Sequence, residues 1–250
     1  MILLLVVGLL ILALVFRLLG TAQRDRTKSL WSRLLLQICG VKVHLSFPQG
    51  QSRVPDTALI ALNHVSWLDI FVLNTVVPAT FVAKSEIRSW PVVGWLVAGA
   101  GTIFIERGSR HAVRRVNHEI RRRLERNEHV AFFPEGSTSN GFDLLPFHAS
   151  LFAAALTDDP TNEDQLSQLI LPVQPAVLRY FQDGLQSDRC AYIDHQTLVH
   201  SVMRIVSARG LSVELEFLPV ITSLPPPMTR HAVAAKAEEQ IRYAVRSRQG

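Results

Sequence analysis

The chain has 250 residues, enough for one large α/β domain or at most two small ones. Hydrophobic residues make up 48% and charged residues 19%, which excludes disorder as the main state. Lys and Arg total 26 against 21 Asp and Glu, and the net charge of +5 suits an anionic partner: nucleic acid, a phosphorylated substrate or an acidic membrane face.

The apolar excess sits at the front. Ile2 to Phe16 contain no charge or strongly polar group, and after Arg17 the run continues through Leu18, Leu19 and Gly20. Roughly nineteen residues at about 1.5 Å each reach about 28 Å, close to one hydrocarbon core. A cleavable signal wants basic residues before such a run and a small-x-small site after it, and neither is convincing here. Residues 1–20 are therefore expected to be a retained membrane-anchor helix, spanning the bilayer or dipping into one leaflet. The charges come afterwards, at Arg17, Arg24, Arg26, Lys28 and Arg33, which places the following domain on the cytoplasmic side of the inner membrane. Residues 21–40 read as a basic amphipathic segment. A helix over Ser29 to Ile38 brings Leu30, Trp31, Leu34, Leu35 and Ile38 to one side, to lie in the interface or to pack on the domain.

Beyond residue 40, β-type runs at Val41–Phe47, Ala58–Leu62, Thr80–Ala83, Thr102–Ile105, Val130–Phe133, Ile170–Leu178, Cys190–Ile193 and Leu211–Ile221 alternate with helix-length stretches. The helical stretches are Ser66–Asn74, Pro91–Ala98, Arg110–Arg126, Ala149–Leu156, Gln196–Ala208 and Thr229–Arg246. This alternation predicts an α/β fold, a single central mixed sheet flanked by helices, over 41–224. Pro225 to Pro227 set off a C-terminal helix within 225–250, and the acidic stretch 157–165 reads as a surface loop. Cys39 and Cys190 form no C-x-x-C and no metal spacing, so both are expected to be small buried hydrophobes, and no metal site is expected.

Four short segments carry chemistry. A buried strand runs into Asn63-His64-Val65-Ser66-Trp67-Leu68-Asp69. On one ideal helix His64 and Asp69 would stand about 140° apart, so they meet only if His64 lies on the turn and Asp69 in the first helical turn. Ser66-x-x-Asp69 has the spacing of a capping box with Ser66 as N-cap. An ionised Asp69 beside the imidazole would fix its tautomer and stabilise the imidazolium of a general base. Against this, Asp69 could merely cap a helix beside an ordinary loop histidine. Of nine histidines, only His64 has an Asp five residues on.

The second segment, Gly101 to Arg107, is a short strand ending in Glu106-Arg107, where Arg107 offers a planar fork for phosphate oxygens or a surface ion pair. The third, Phe132-Phe133-Pro134-Glu135-Gly136-Ser137-Thr138-Ser139, breaks at Pro134. It is expected to expose the Glu135 carboxylate beside a turn rich in hydroxyls and backbone donors, which could hold a small polar ligand or be an ordinary turn. The fourth, Leu171-Pro172-Val173, places a proline in an apolar run and suggests a sheet edge or a pocket wall.

In this order and spacing the set resembles the 1-acylglycerol-3-phosphate (lysophosphatidic acid) acyltransferase family of glycerolipid acyltransferases. NHVSWLD, GTIFIER, FFPEGSTS and LPV are similar to its four blocks, and the likeness covers about Val41 to Val177. The resemblance implies that His64 deprotonates the free hydroxyl of a lysolipid, which attacks the thioester of acyl-CoA or acyl-carrier protein directly, with Asp69 orienting His64. It implies that Arg107 binds the acceptor phosphate, that Asn63, Glu135, Gly136 and Ser137 belong to the acceptor site, and that Leu171 and Pro172 shape the acyl side. No cofactor, metal or acyl-enzyme is implied, and membrane lipid is a partner because acceptor and product stay in the bilayer. One departure bears on the headgroup. Relatives often carry F-K-x-G after the third block, where this chain has Phe147-His148-Ala149-Ser150, similar to the branch that acylates lyso-ornithine lipid.

Rival readings are weaker. The arginine-rich run from Arg107 to Arg126 lacks the aromatic interleaving of a nucleic-acid surface and better suits anionic lipid, an acidic carrier protein or plain solvent. A membrane-tethered lipid-binding scaffold would not need His64, Asp69, Arg107 and Glu135 together. G-x-S-x-G and a P-loop are both missing, which argues against a serine hydrolase and a nucleotide-binding enzyme.

Overall fold

The computed structural model describes residues 19–90, 93–106, 109–156, 171–193 and 196–247. The anchor expected over 1–20 lies almost wholly outside them, as does Arg107, and among the described residues no helix is long and apolar enough to cross a membrane.

Helix α1 (Thr21–Ile38) starts eight residues before its predicted first turn, with the Gln23 side chain accepting from the Gly20 amide at 3.1 Å. Its apolar residues divide into two sets. Leu35 and Leu36 are buried, whereas Leu30, Leu34 and Ile38, at i, i+4 and i+8, stay exposed.

Strands β1 (Lys42–Ser46) and β2 (Leu59–Leu62) lead to the short helix α2 (Asp69–Asn74). Helix α1 is tied to the far end of α2 by Ser29 Oγ donating to the Asn74 carbonyl and Arg33 to that of Thr75, both at 2.9 Å. Strand β3 (Ala79–Lys84), a 3₁₀ turn, helix α3 (Val93–Gly99), strand β4 (Ile103–Ile105) and helix α4 (Arg110–Leu124) follow. Then come β5 (His129–Phe132), a 3₁₀ segment (Ala149–Ala155), and β6 (Val173–Gln182) with its hairpin partner β7 (Leu185–Gln186). Helix α5 (Leu198–Val206), strand β8 (Leu211–Phe217) and helix α6 (Arg230–Arg246) complete the chain.

The strands form one mixed sheet in the order β1-β8-β6-β2-β5-β3-β4, with β7 beyond this path on β6. Among these strands, only the β6–β8 and β6–β7 pairings are antiparallel. Strand β2 is fully buried on both faces, as an interior parallel strand must be. Its period of two sends Ile60 and Leu62 into a core with α1, α2 and α5, and Leu59 and Ala61 into a core with α4 and α6. Helix α4 fits the second core because Ala112, Val116, Ile120 and Leu124 recur every four residues, and Ser109 caps its start by accepting from Ala112 N–H at 3.2 Å.

Several expectations are corrected. The helix after His64 begins at Asp69 rather than Ser66, because the Asp69 carboxylate takes the Val65 and Ser66 amides that a helical turn would direct elsewhere, and the Ser66 hydroxyl accepts from Leu68 N–H instead. Cys190–Ile193 is not a strand. Its Tyr192 backbone is held between two loops, donating to the Val65 carbonyl at 2.8 Å and accepting from the Thr138 hydroxyl. The stretch over 149–156 is 3₁₀, not α-helical. Pro172 does not mark an edge: β6 lies between β8 and β2, and Pro172 stands just before its first residue, where a missing N–H is tolerated. Cys39 and Cys190 are free and buried, and burial pushes their thiols up to about 11 and about 12.

Candidate active site

The site lies at the carboxyl edge of the parallel strands, where open α/β sheets usually hold ligands. The pairing of Ala61 with Phe132, carried three residues further, brings His64 level with Glu135. Two blocks that are 71 residues apart in sequence thus meet in space.

His64 Nδ1 stands 2.8 Å from Asp69 Oδ2. The Asp69 side chain is fully buried while that of His64 is 21% exposed, so the imidazole forms the rim and the carboxylate its support. Asp69 Oδ2 also accepts from Val65 N–H at 2.7 Å and Ser66 N–H at 2.9 Å. The Tyr180 phenol donates to Asp69 Oδ1 at 2.7 Å. Ionised Asp69 accepts a proton-bearing Nδ1, which leaves Nε2 as the nitrogen able to take a proton. The far face of the imidazole stacks on Phe133, with ring centres 3.8 Å apart and planes 9° apart, and Phe133 stacks in turn on Phe81. An imidazolium formed there gains both the carboxylate and an aromatic face.

Glu135 is not an exposed carboxylate. It is 4% exposed, and its oxygens accept from His64 N–H at 2.7 Å and Leu145 N–H at 2.8 Å. Burial is the main cause that raises its pKa to about 7, opposed by those two bonds. It ties the His64 turn to the segment after the third block rather than presenting itself to a ligand. The His64 carbonyl is fixed as well, by Ser139 N–H at 2.7 Å.

The remaining candidates divide. Asn63 is buried and turned away, its amide donating to the Leu178 carbonyl at 2.9 Å and accepting from Leu178 N–H at 2.7 Å. It extends the β2–β6 ladder by one side chain. Gly136 turns at φ +66 with its N–H on the Phe133 carbonyl at 3.0 Å, so that amide is already engaged. Ser137 is exposed beside it. Pro172 is not brought to the site: its carbonyl accepts from Leu59 N–H at the opposite edge, roughly 16 Å along β2 from His64. His148 is exposed on the segment after the third block. Strand β4 ends two residues before Arg107, with Ile105 paired to Lys84 of β3.

Tyr180 is the site residue that the sequence concealed. It lies 111 residues from Asp69 in an apolar strand with no motif around it. Phe133 and Ser139 fell inside a recognised block but gave no sign of their contacts with His64.

A buried carboxylate behind a partly exposed imidazole is the arrangement that suits a general base. A family model described as Acyltransferase matches residues 47–177. The 1-acyl-sn-glycerol-3-phosphate acyltransferase of Neisseria gonorrhoeae is 40% identical over 192 residues, covering 76% of this chain and 70% of that protein. The lyso-ornithine lipid O-acyltransferase of Pseudomonas aeruginosa is 35% identical over 183 residues, covering 73% and 66%. The crystal structure of the 1-acyl-sn-glycerophosphate (LPA) acyltransferase PlsC from Thermotoga maritima shares the fold, with a TM-score of 0.62 over 100% of this chain and 96% of that one at 16% identity. The chain belongs to the 1-acylglycerol-3-phosphate acyltransferase family and is a glycerolipid acyltransferase.

Proposed function

We propose that the enzyme moves a fatty acyl group from acyl-CoA or acyl-carrier protein to the free hydroxyl of 1-acylglycerol-3-phosphate, giving phosphatidic acid. The observation that carries this reading is the tie of His64 Nδ1 to buried Asp69, which leaves Nε2 to act as general base. The acceptor hydroxyl gives its proton to Nε2 as its oxygen attacks the thioester carbonyl. The tetrahedral adduct collapses, the C–S bond breaks, and the imidazolium returns the proton to the leaving thiolate. Asp69 and the face of Phe133 stabilise the imidazolium between these steps. Arg107 would take the acceptor phosphate, and Ser137 and Gly136 the rim beside it. Glu135 supports the His64 turn from beneath.

The enzyme works at the bilayer, where the apolar run at 2–16 holds it and the charges from Arg17 to Arg33 keep the domain on the cytoplasmic side. Exposed Leu30, Leu34 and Ile38, on the helix that follows the run, support contact with the interface.

A second acceptor, lyso-ornithine lipid, is favoured by one position. Exposed His148 replaces the fixed charge of a lysine, and an aminolipid without a glycerol phosphate needs no such charge. Membranes containing the protein, labelled acyl thioester and each lysolipid side by side test both readings. Transfer to lysophosphatidic acid is expected, and its loss in His64→Ala without loss of membrane attachment. Transfer to lyso-ornithine lipid alone overturns the first acceptor, and normal turnover by His64→Ala overturns the general base.

A further inference from the structure

The two oxygens of Asp69 are unequally loaded. Oδ2 receives the imidazole and two backbone amides, whereas the donor on Oδ1 is the Tyr180 phenol at 2.7 Å. Tyr180 is 2% exposed. Burial is the main cause that pushes its pKa well above the ordinary value, so it is a neutral donor throughout the working range. The ring rises from β6 two residues beyond Leu178, the residue whose peptide holds the Asn63 amide. Strand β6 therefore fixes the start of the His64 turn by one residue and its carboxylate by another.

We propose that Tyr180 is a positioning residue for the acyl transfer, holding the Asp69 carboxylate so that Oδ2 rather than Oδ1 meets His64 Nδ1. Without the phenol, Oδ1 is a buried charged oxygen short of a donor, and the carboxylate turns to share the amides of Val65 and Ser66 between its oxygens. The imidazole then loses the fixed partner that sets its tautomer and ring plane. Tyr180 lies beyond residues 47–177, the segment that the family model matches. Its role rests on the reading of His64 as the base.

Tyr180→Phe keeps the ring and removes only the hydroxyl. The expected result is a fall in kcat of about tenfold or more, by analogy with the loss when the outer partner of a metal-bound histidine is removed. The KM values for lysolipid and thioester should stay within about twofold, with the melting temperature little changed. An unchanged kcat, or a loss confined to KM, overturns the proposal. Where the single variant is poorly folded, the same hydroxyl is removed in Asp69→Asn. A residue that acts through Asp69 adds no further loss there, and an independent, multiplicative loss overturns the claim. Full activity of His64→Ala in the same assay removes the underlying reading, whereas an inactive His64→Ala beside a fully active Tyr180→Phe removes the positioning role alone.

Discussion

At the scale of single residues, Glu135 makes the sharpest claim. Its folded pKa of about 7 stands above the ordinary 4.5, so the folded protein holds that proton more tightly than the unfolded chain. The resulting stabilisation is complete below about pH 4.5 and is lost as pH rises to about 7. Over that window it amounts to at most about 3 kcal/mol. Glu135→Gln should flatten this part of the stability profile, measured by urea unfolding at several pH values, and an unchanged slope removes the assignment. Acid has the opposite effect on the site: on protonation one Glu135 oxygen becomes a poorer acceptor, so one of the bonds from His64 and Leu145 weakens as the fold gains. The FFPEG block revealed that a carboxylate would stand here but not its setting. Exposure depends on the amides of His64 and Leu145, and nothing local to Glu135 announces either.

At the scale of elements, α4 separates two uses of arginine that its sequence runs together. Arg121 folds back onto the 3₁₀ segment, donating to the carbonyl of Leu156 at 2.7 Å and reaching those of Ala153 and Ala154. Arg122 and Arg123 pair with Glu119, and Arg123 also with Glu128. Arg114 and Arg115 are exposed, with no acidic partner among the described residues. Arg121→Ala should therefore cost about 1–3 kcal/mol by leaving carbonyls unsatisfied. Arg114→Gln with Arg115→Gln should leave stability within about 0.5 kcal/mol. If α4 faces anionic lipid, the double variant alone should weaken salt-dependent binding to acidic vesicles. Equal stability losses, or vesicle binding that ignores the pair, removes the distinction. The helix itself was legible, since Ala112, Val116, Ile120 and Leu124 keep one face apolar. The 3₁₀ segment was not, because a run such as Ala149–Ala155 suits either helix type until neighbours fix its length.

At the scale of the whole molecule, β6 joins function to stability through adjacent side chains. Tyr180 points into the core that supports His64, and Arg179 points to the other face. Arg179 is 1% exposed, donates to the Ala244 carbonyl at 2.7 Å, and pairs with Glu214 and Glu216, so one side chain fastens β6, β8 and α6. Its glutamates are partly exposed, which places Arg179→Met near the low end of the cost of breaking a buried pair, about 3 kcal/mol. Denaturant unfolding should show this loss while the folded fraction keeps its turnover, the inverse of Tyr180→Phe. A variant with full stability, or one whose folded fraction is inactive, contradicts this division. The alternation of strands and helices revealed the α/β class, yet strand order was not readable, because a parallel register is set by packing between distant segments. The same limit explains Pro172, a block residue that the register carries to the edge away from His64.

The Asn63 amide makes the site vulnerable to a change of one atom. Its nitrogen lies 2.9 Å from the Leu178 carbonyl and its oxygen 2.7 Å from the Leu178 amide. Hydrolytic deamidation preserves the shape of the side chain but replaces that nitrogen with oxygen, setting a carboxylate against a carbonyl where a donor had been. The strand would then repel the turn it had anchored, one residue before His64. A change that is harmless on the surface would here loosen the support of the His64 turn.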